Sequence, residues 1–493
     1  MPHFLGVDIG TFESKGVLTD AQGRIVARAR RQHGMIVPAP GRAEHRADED
    51  WWGDFTAITR ELLAGSGIDP ADIAAVATSA IGPCMLPVDR DFRPLMNGVL
   101  YGVDTRAGAE IAELHDRFGQ AVIEERCGNA LTSQMVGPKI LWLRRNHPDR
   151  WERTAQIGTS TTWLTYRLTG EWVIDHYTAC NWAPLYDIDA QDWCFDLGGI
   201  CTRDRLPRLL WSTDIAGHVT PEAAAATGLA AGTPVTCGTV DAAAEAVSVG
   251  VRHPGDMMMM YGSTLFVIEI AAGRIRDGRL WQAPWLFPGE HAVMAGLATS
   301  GTLTQWFREL TLPGEDRATA FARLAAEAEA VPPGARGLVC LPHFSGERTP
   351  LHDDHAKGVF FGLTLGHGRA ELFRAACEGI AMATRQLTET YAGAGVPPRR
   401  VMAVGGGVQN PAWAQATSDM TGLEQIVRRT TFGASYGDAF IAALATGAAT
   451  RDDIDRWNPA ERRITPREVP EYDRLYAIYR ELYARNRDLM ERL

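Results

Sequence analysis

The sequence predicts an α/β protein made of two related domains that face each other. Two observations predict it. Strand-like and helix-like segments alternate along the chain, and the pattern that opens it restarts near its middle. The opening "LGVDIGTFESKGVLTD" (5–20) is an apolar strand, a Gly-Thr turn and a second apolar strand. "DMMMMYGSTLFVIEIAAG" (256–273) repeats that order with a Gly-Ser-Thr turn. At 493 residues the chain is also longer than one hydrophobic core usually serves.

Taken in order, "FLGVDIG", "SKGVLTD" and "GRIVARARRQH" predict a three-strand meander with glycine turns. "DEDWWGDFTAITRELLAG" (48–65) has acids at its front and apolar spacing near 3.6, which predicts an amphipathic helix. "IAAVATSAIGPCMLPVD" returns as a strand broken at Gly82-Pro83. In the second half, "RAELFRAACEGIAMATRQLTETYAG" (369–393) predicts a long helix. In "RRVMAVGGGVQNPAWAQATSDMTG" a buried strand runs into three glycines, and a helix follows. Asn410 is its expected N-cap, Pro411 its first residue and Gly422 its stop. The last 40 residues are charged and helical in pattern.

With 45% hydrophobic and 22% charged residues the composition is that of a globular protein. A formal charge of -11 argues against nucleic acid or an anionic membrane as partner, because both reward clustered basic residues. Eight cysteines without CxxC or zinc spacing predict buried thiols of a reducing compartment. With no secretory signal in "MPHFLGVDIG" and no apolar run of membrane length, a cytoplasmic location is expected. Lysine is rare: of 49 basic Lys and Arg residues, only Lys15, Lys139 and Lys357 are lysines.

Four pieces carry candidate chemistry. In the opening turn, Gly10 would let backbone approach phosphate oxygens and Thr11 would offer N–H and hydroxyl donors. Asp8 would hold Mg²⁺ directly or through water, and Lys15 would add a cation; a plain hairpin is the alternative. The turn "YGSTL" (261–265) could clamp a triphosphate from the opposite side, or be an unrelated sheet turn. "VGGGVQN" (404–410) lacks the G-x-G-x-x-G spacing of a dinucleotide site, but could seat an adenosine on bare backbone at a helix N-terminus. Asp241, among small residues in "CGTVDAAAEAVSVG", is either a helix cap or a general base.

Together these pieces resemble the FGGY family of carbohydrate kinases, from about residue 4 to about residue 450. "SQMVGPKILWLRRNHP" (133–148) is similar to its first signature, with Lys139 at the expected lysine. "GERTPLHDDHAKGVFFGLTLGHGRAELFRAACEGIA" (346–381), which contains Lys357, is similar to its second. "GRAEHRADEDWW" and "YRLTGEWVIDHYTA" match further stretches, and "GERTP" points to the xylulokinase branch. The resemblance implies two actin-like (ribonuclease H-like) domains, 1–245 and 246–493, around a central cleft that binds ATP, Mg²⁺ and a sugar or polyol. It implies Asp8, Gly10, Thr11 and Lys15 as the first phosphate loop and Gly262, Ser263 and Thr264 as the second. Gly301, Gly406 and Asn410 would lie along the nucleotide, and Asp241 would be the base. Homodimers are common in the family. An ATPase or sugar sensor on the same fold is the alternative function.

The departures from the family concentrate where the sugar is read. Xylulokinases carry "SGQMHG" where "SAIGPC" stands here, so Ile81, Gly82 and Pro83 stand where Gln, Met and His are expected, and the hydrogen-bonding Gln and His are lost. Ala242 stands where Asn or Gln is frequent, and Leu265 where the second turn usually has a small residue. "YGVDTR" keeps Asp104, expected either at the sugar or in a salt bridge with Arg106.

Overall fold

A computed structural model of the chain describes every residue from 1 to 493 except 198 and 431. Its first sheet starts from the predicted meander, β1 (His3–Ile9), β2 (Glu13–Asp20) and β3 (Ile25–Gln32), each antiparallel to the next. Helix α1 (Asp54–Ser66) follows directly on a wider helical turn at Ala47–Gly53. It lays Phe55, Ile58 and Leu62 on the sheet. The sheet is completed by β4 (Ile73–Ala80), β5 (Ile215–His218), β6 (Pro234–Thr236) and β7 (Thr239–Val240), in the order β5-β6-β4-β1-β2-β3 with β7 also on β4.

Helix α2 (Asp241–Ser248) leads into the second sheet. That sheet contains β8 (Asp256–Tyr261), β9 (Leu265–Ala271), β10 (Trp281–Pro284) and β11 (His291–Leu297). Helices α3 (Gly301–Thr311) and α4 (Arg369–Gly393) precede β12 (Arg400–Val404), α5 (Pro411–Thr421) and β13 (Gln425–Arg428). Helix α6 (Ala434–Ala445) and β14 (Ala460–Ile464) close the order β10-β11-β9-β8-β12-β13-β14.

The internal repeat is real at the level of topology. β1 pairs antiparallel with β2 and parallel with β4; β8 pairs antiparallel with β9 and parallel with β12. One expectation is corrected at the C-terminus. The last 40 residues are not all helical, because Ala460–Ile464 adds an edge strand to the second sheet before the helix Pro470–Met490. Its charged side chains are exposed, as an edge strand allows.

Helix α6 belongs to the second half of the sequence but packs on the first sheet and on α2. The contact needs glycine at the crossing. A Cβ on Gly437 would lie 1.8 Å from the Ala244 carbonyl oxygen, and one on Gly6 would lie 2.0 Å from that of Ser435. Gly437→Ala should gain about 1 kcal/mol of helix propensity, but the overlap with fixed backbone outweighs it. We expect a net loss of about 1–3 kcal/mol of unfolding free energy, read as a lower urea midpoint. An unchanged midpoint would show that the two helices move apart freely.

Candidate active site

The opening turn is built tightly. Gly10 N–H donates to the Glu13 carbonyl at 3.2 Å, and a Cβ on Gly10 would meet that oxygen at 2.8 Å. From outside the turn, His33 Nε2 pairs with the Gly10 carbonyl at 3.0 Å, while His33 Nδ1 lies 2.8 Å from Asp54. Burial pulls the His33 pKa down, but the Asp54 carboxylate outweighs it and the net shift is upward. The imidazole thus stiffens the turn on which Thr11 sits. Nothing in the spacing of His33 marked it beforehand, because it reaches the turn only through the β2–β3 pairing.

Asp8 lies behind the turn, buried at the end of β1. Ser79 Oγ is 3.1 Å from Asp8 and 2.7 Å from Asp438 of α6. The one hydroxyl proton is shared between the two carboxylates, and burial and the neighbouring Asp8 charge raise the Asp438 carboxyl well above the ordinary range. Asp8 is raised as well, first by burial and then by Asp241, while Lys15 and Ser79 pull it down. Lys15 itself is paired with Glu13 at 3.3 Å.

Asp241 is the first residue of α2, and its carboxylate accepts the Ala242 N–H at 2.7 Å. It is therefore not the N-cap, a position that Val240 holds. Burial pushes its pKa up to about 7; the Ala242 N–H and Lys15 oppose the rise and Glu245, one turn on, adds to it. Asp241 lines a cavity of about 260 Å³ together with Thr11, Ile81, Gly82 and Pro83, so all five meet there. Ala242 is on the same wall. The opposite wall comes from the second sheet: Phe266, Trp281, Gln282 and Met294. Neither these nor Tyr101 and Tyr177 stood out in the sequence, since an aromatic residue or Met on a strand reads as core.

The second turn is assembled with its neighbours. Gly301 N–H donates to the Gly262 carbonyl at 3.0 Å, and Thr302 N–H to that of Ser263 at 3.0 Å. A Cβ on Gly301 would meet the Gly262 carbonyl at 2.3 Å, and one on Gly405 would meet that of Tyr261 at 2.6 Å. The 262–264 turn, Gly301 and the glycine run therefore adjoin. Gly406 is exposed, with open space beside it. Asn410 caps α5 by accepting the Trp413 N–H at 3.2 Å, and Gly422 ends that helix at φ 71°. Leu265 does not intrude on the turn; it is buried in the core of the second sheet.

Of the two places expected for Asp104, sugar site or salt bridge with Arg106, the structure shows the ion pair. Asp104 is fully buried and outside the cavity lining, and Arg106 Nη2 sits 2.7 Å from it. The Ala43 N–H takes the same carboxylate at 2.7 Å. Lys139 is structural too: its buried ammonium donates to the Leu100 and Tyr101 carbonyls, at 2.5 and 2.9 Å, and so holds Tyr101 in the cavity wall. Burial lowers its pKa to about 8.

Among the described residues, no three His, Cys, Asp or Glu side chains stand close enough to cage a metal ion. Among the described residues, no helix is long and apolar enough to cross a membrane.

Two sheets of like order, each carrying a glycine turn and together walling the cavity that holds Asp241, define a two-domain protein of the actin-like, ribonuclease H-like class. The N-terminal domain profile of the FGGY family of carbohydrate kinases matches residues 3–248, and the C-terminal domain profile matches 257–446. The chain belongs to this family. It is 26% identical to the xylulose kinase of Bacillus subtilis (strain 168), over 99% of this chain and 98% of that one. It is 29% identical to a glycerol kinase of Citrifermentans bemidjiense, with 94% of each covered. The crystal structure of a xylulose kinase from Rhodospirillum rubrum superposes with a TM-score of 0.93 at 31% identity, covering 99% of this chain and 100% of that one.

Proposed function

We propose that this carbohydrate kinase transfers the γ-phosphoryl group of ATP to a hydroxyl of a neutral ketose or polyol, with Asp241 as general base. The observation that carries the reading is the shared wall of one cavity. It places the Asp241 carboxylate beside Thr11 of the first phosphate turn and beside the Ile81–Pro83 segment. The similarity to xylulose and glycerol kinases supports the acceptor class.

In this reading the acceptor hydroxyl gives its proton to Asp241 as its oxygen bonds to the γ-phosphorus. The bond to the β,γ-bridging oxygen breaks and ADP leaves. The transition state of such transfers is loose, so positioning and charge compensation matter most. The Gly10–Thr11 and Gly262–Thr264 turns present backbone to the phosphates from the two halves, with Gly301, Gly406 and Asn410 along the nucleotide. Lys15 exchanges Glu13 for a phosphate oxygen. The Asp8 carboxyl, raised by burial and by Asp241, is a fitting partner for a cation. Mg²⁺ held there would compensate charge on the phosphates, with water and phosphate oxygens as its other ligands, a habit usual for this ion. The eight free, buried cysteines support a reducing, cytoplasmic setting.

The test is a coupled ADP-release screen over neutral pentuloses, hexuloses, tetritols and glycerol, with their deoxy analogues in the panel. At least one is expected to stimulate release strongly; stimulation by none would refute the reading. A pH profile follows from the Asp241 shift to about 7. The base is ionised only above its pKa, so kcat/KM for the acceptor should fall about tenfold per pH unit below 7. A flat profile down to pH 5 would remove Asp241 from the role.

A further inference from the structure

One stretch of the cavity wall is poor in groups that can serve a hydroxyl. Among the described residues, Asp241 is the only carboxylate in the lining, and no Lys, Arg or His lines it. A sugar acid or sugar phosphate would face no compensating cation, so the acceptor is uncharged. Several of the polar side chains in the wall are already engaged with the protein. Asn129 donates to the Gln282 carbonyl at 2.7 Å and accepts the Gln282 N–H at 2.8 Å, while the Gln282 side-chain oxygen accepts the Ile275 N–H. The Tyr177 hydroxyl donates to Met294 Sδ at 3.0 Å.

The groups left to meet a bound molecule are the Asp241 carboxyl, the Asn181 side-chain oxygen, the Gln282 side-chain N–H groups, the Tyr101 hydroxyl, the Trp281 indole and, at the exposed rim, Thr132 and Gln134. The rest of the wall is apolar: Ile81, Pro83, Val240, Phe266, Met294 and the Tyr177 ring. A hydroxyl set against that wall leaves its water partners and finds no replacement, whereas a methyl group loses nothing there.

Resting on the kinase reading above, we propose that the acceptor is a neutral deoxy sugar or deoxy polyol. It carries a hydroxyl at Asp241 and a methyl or methylene where a fully hydroxylated sugar would carry a further hydroxyl. Rejection of an added hydroxyl by an apolar pocket reaches about 10²-fold.

The experiment uses the wild-type chain and matched pairs: D-xylulose against 1-deoxy-D-xylulose, and L-fructose against 6-deoxy-L-fructose. Each is measured twice, by kcat/KM for ADP release with ATP and by thermal shift without nucleotide. The deoxy member of at least one pair is expected to lead by about tenfold or more in kcat/KM, and to give the larger thermal shift at equal concentration. A lead for the hydroxylated member, equal treatment of the two, or no thermal shift with any of the four sugars overturns the inference. A deoxy-selective thermal shift without ADP release supports it and instead removes the kinase reading.

Discussion

Asp241→Asn is expected to lower acceptor-dependent ADP release by about 10²–10⁴-fold while ATP binding persists. The substitution keeps the size of the side chain and keeps an oxygen for the Ala242 N–H, which the carboxylate accepts at 2.7 Å. What it removes is the capacity to take a proton. It also removes a negative charge that raises the Asp8 carboxyl, so Asp8 should ionise more readily in the variant and nucleotide binding should not weaken. Single-turnover release with the best acceptor, beside a nucleotide titration followed calorimetrically, separates the two effects. A variant that phosphorylates at near wild-type rate would show that the proton leaves by another route.

Asp104→Ala is expected to cost about 3–5 kcal/mol of stability, because it leaves a buried guanidinium without one of its two carboxylate partners. Arg106 is itself almost fully buried, held by Asp104 and by Glu44 at 2.8 Å, with its guanidinium over the Trp142 ring at 4.8 Å. The Ala43 N–H would lose its acceptor at the same time. Urea unfolding gives the stability. At a temperature where the variant remains folded, the KM for the acceptor should be close to wild type. A large rise in that KM with little loss of stability would return Asp104 to the sugar site.

Much of this molecule was legible in local sequence. The three-strand meander, the helix at 369–393, the Asn410 cap and the Gly422 stop each follow from period or turn chemistry within a few residues. The repeat of strand, glycine turn and strand announced two similar sheets, and the two pairing schemes agree. The limits were long-range. Asp438 reaches Ser79 across 359 positions, and His33 meets Gly10 only because β3 folds back beside β2. Asp104 looked equally fit for sugar and for Arg106, since the choice depends on which face of its loop turns inward.

By itself, then, the sequence determined the architecture, the family and the turns that present bare backbone, because these rest on periodicity and on residues such as glycine whose backbone freedom is intrinsic. The tertiary structure alone decided what the cavity can read. Its far wall comes from β9, β10 and β11, whose Phe266, Trp281 and Met294 read as ordinary core until the second sheet is set against the first. Whether a polar side chain faces a ligand or a neighbour depends on pairings such as Asn129 with Gln282, which lie 153 positions apart. A local pattern carries no record of such a distant partner.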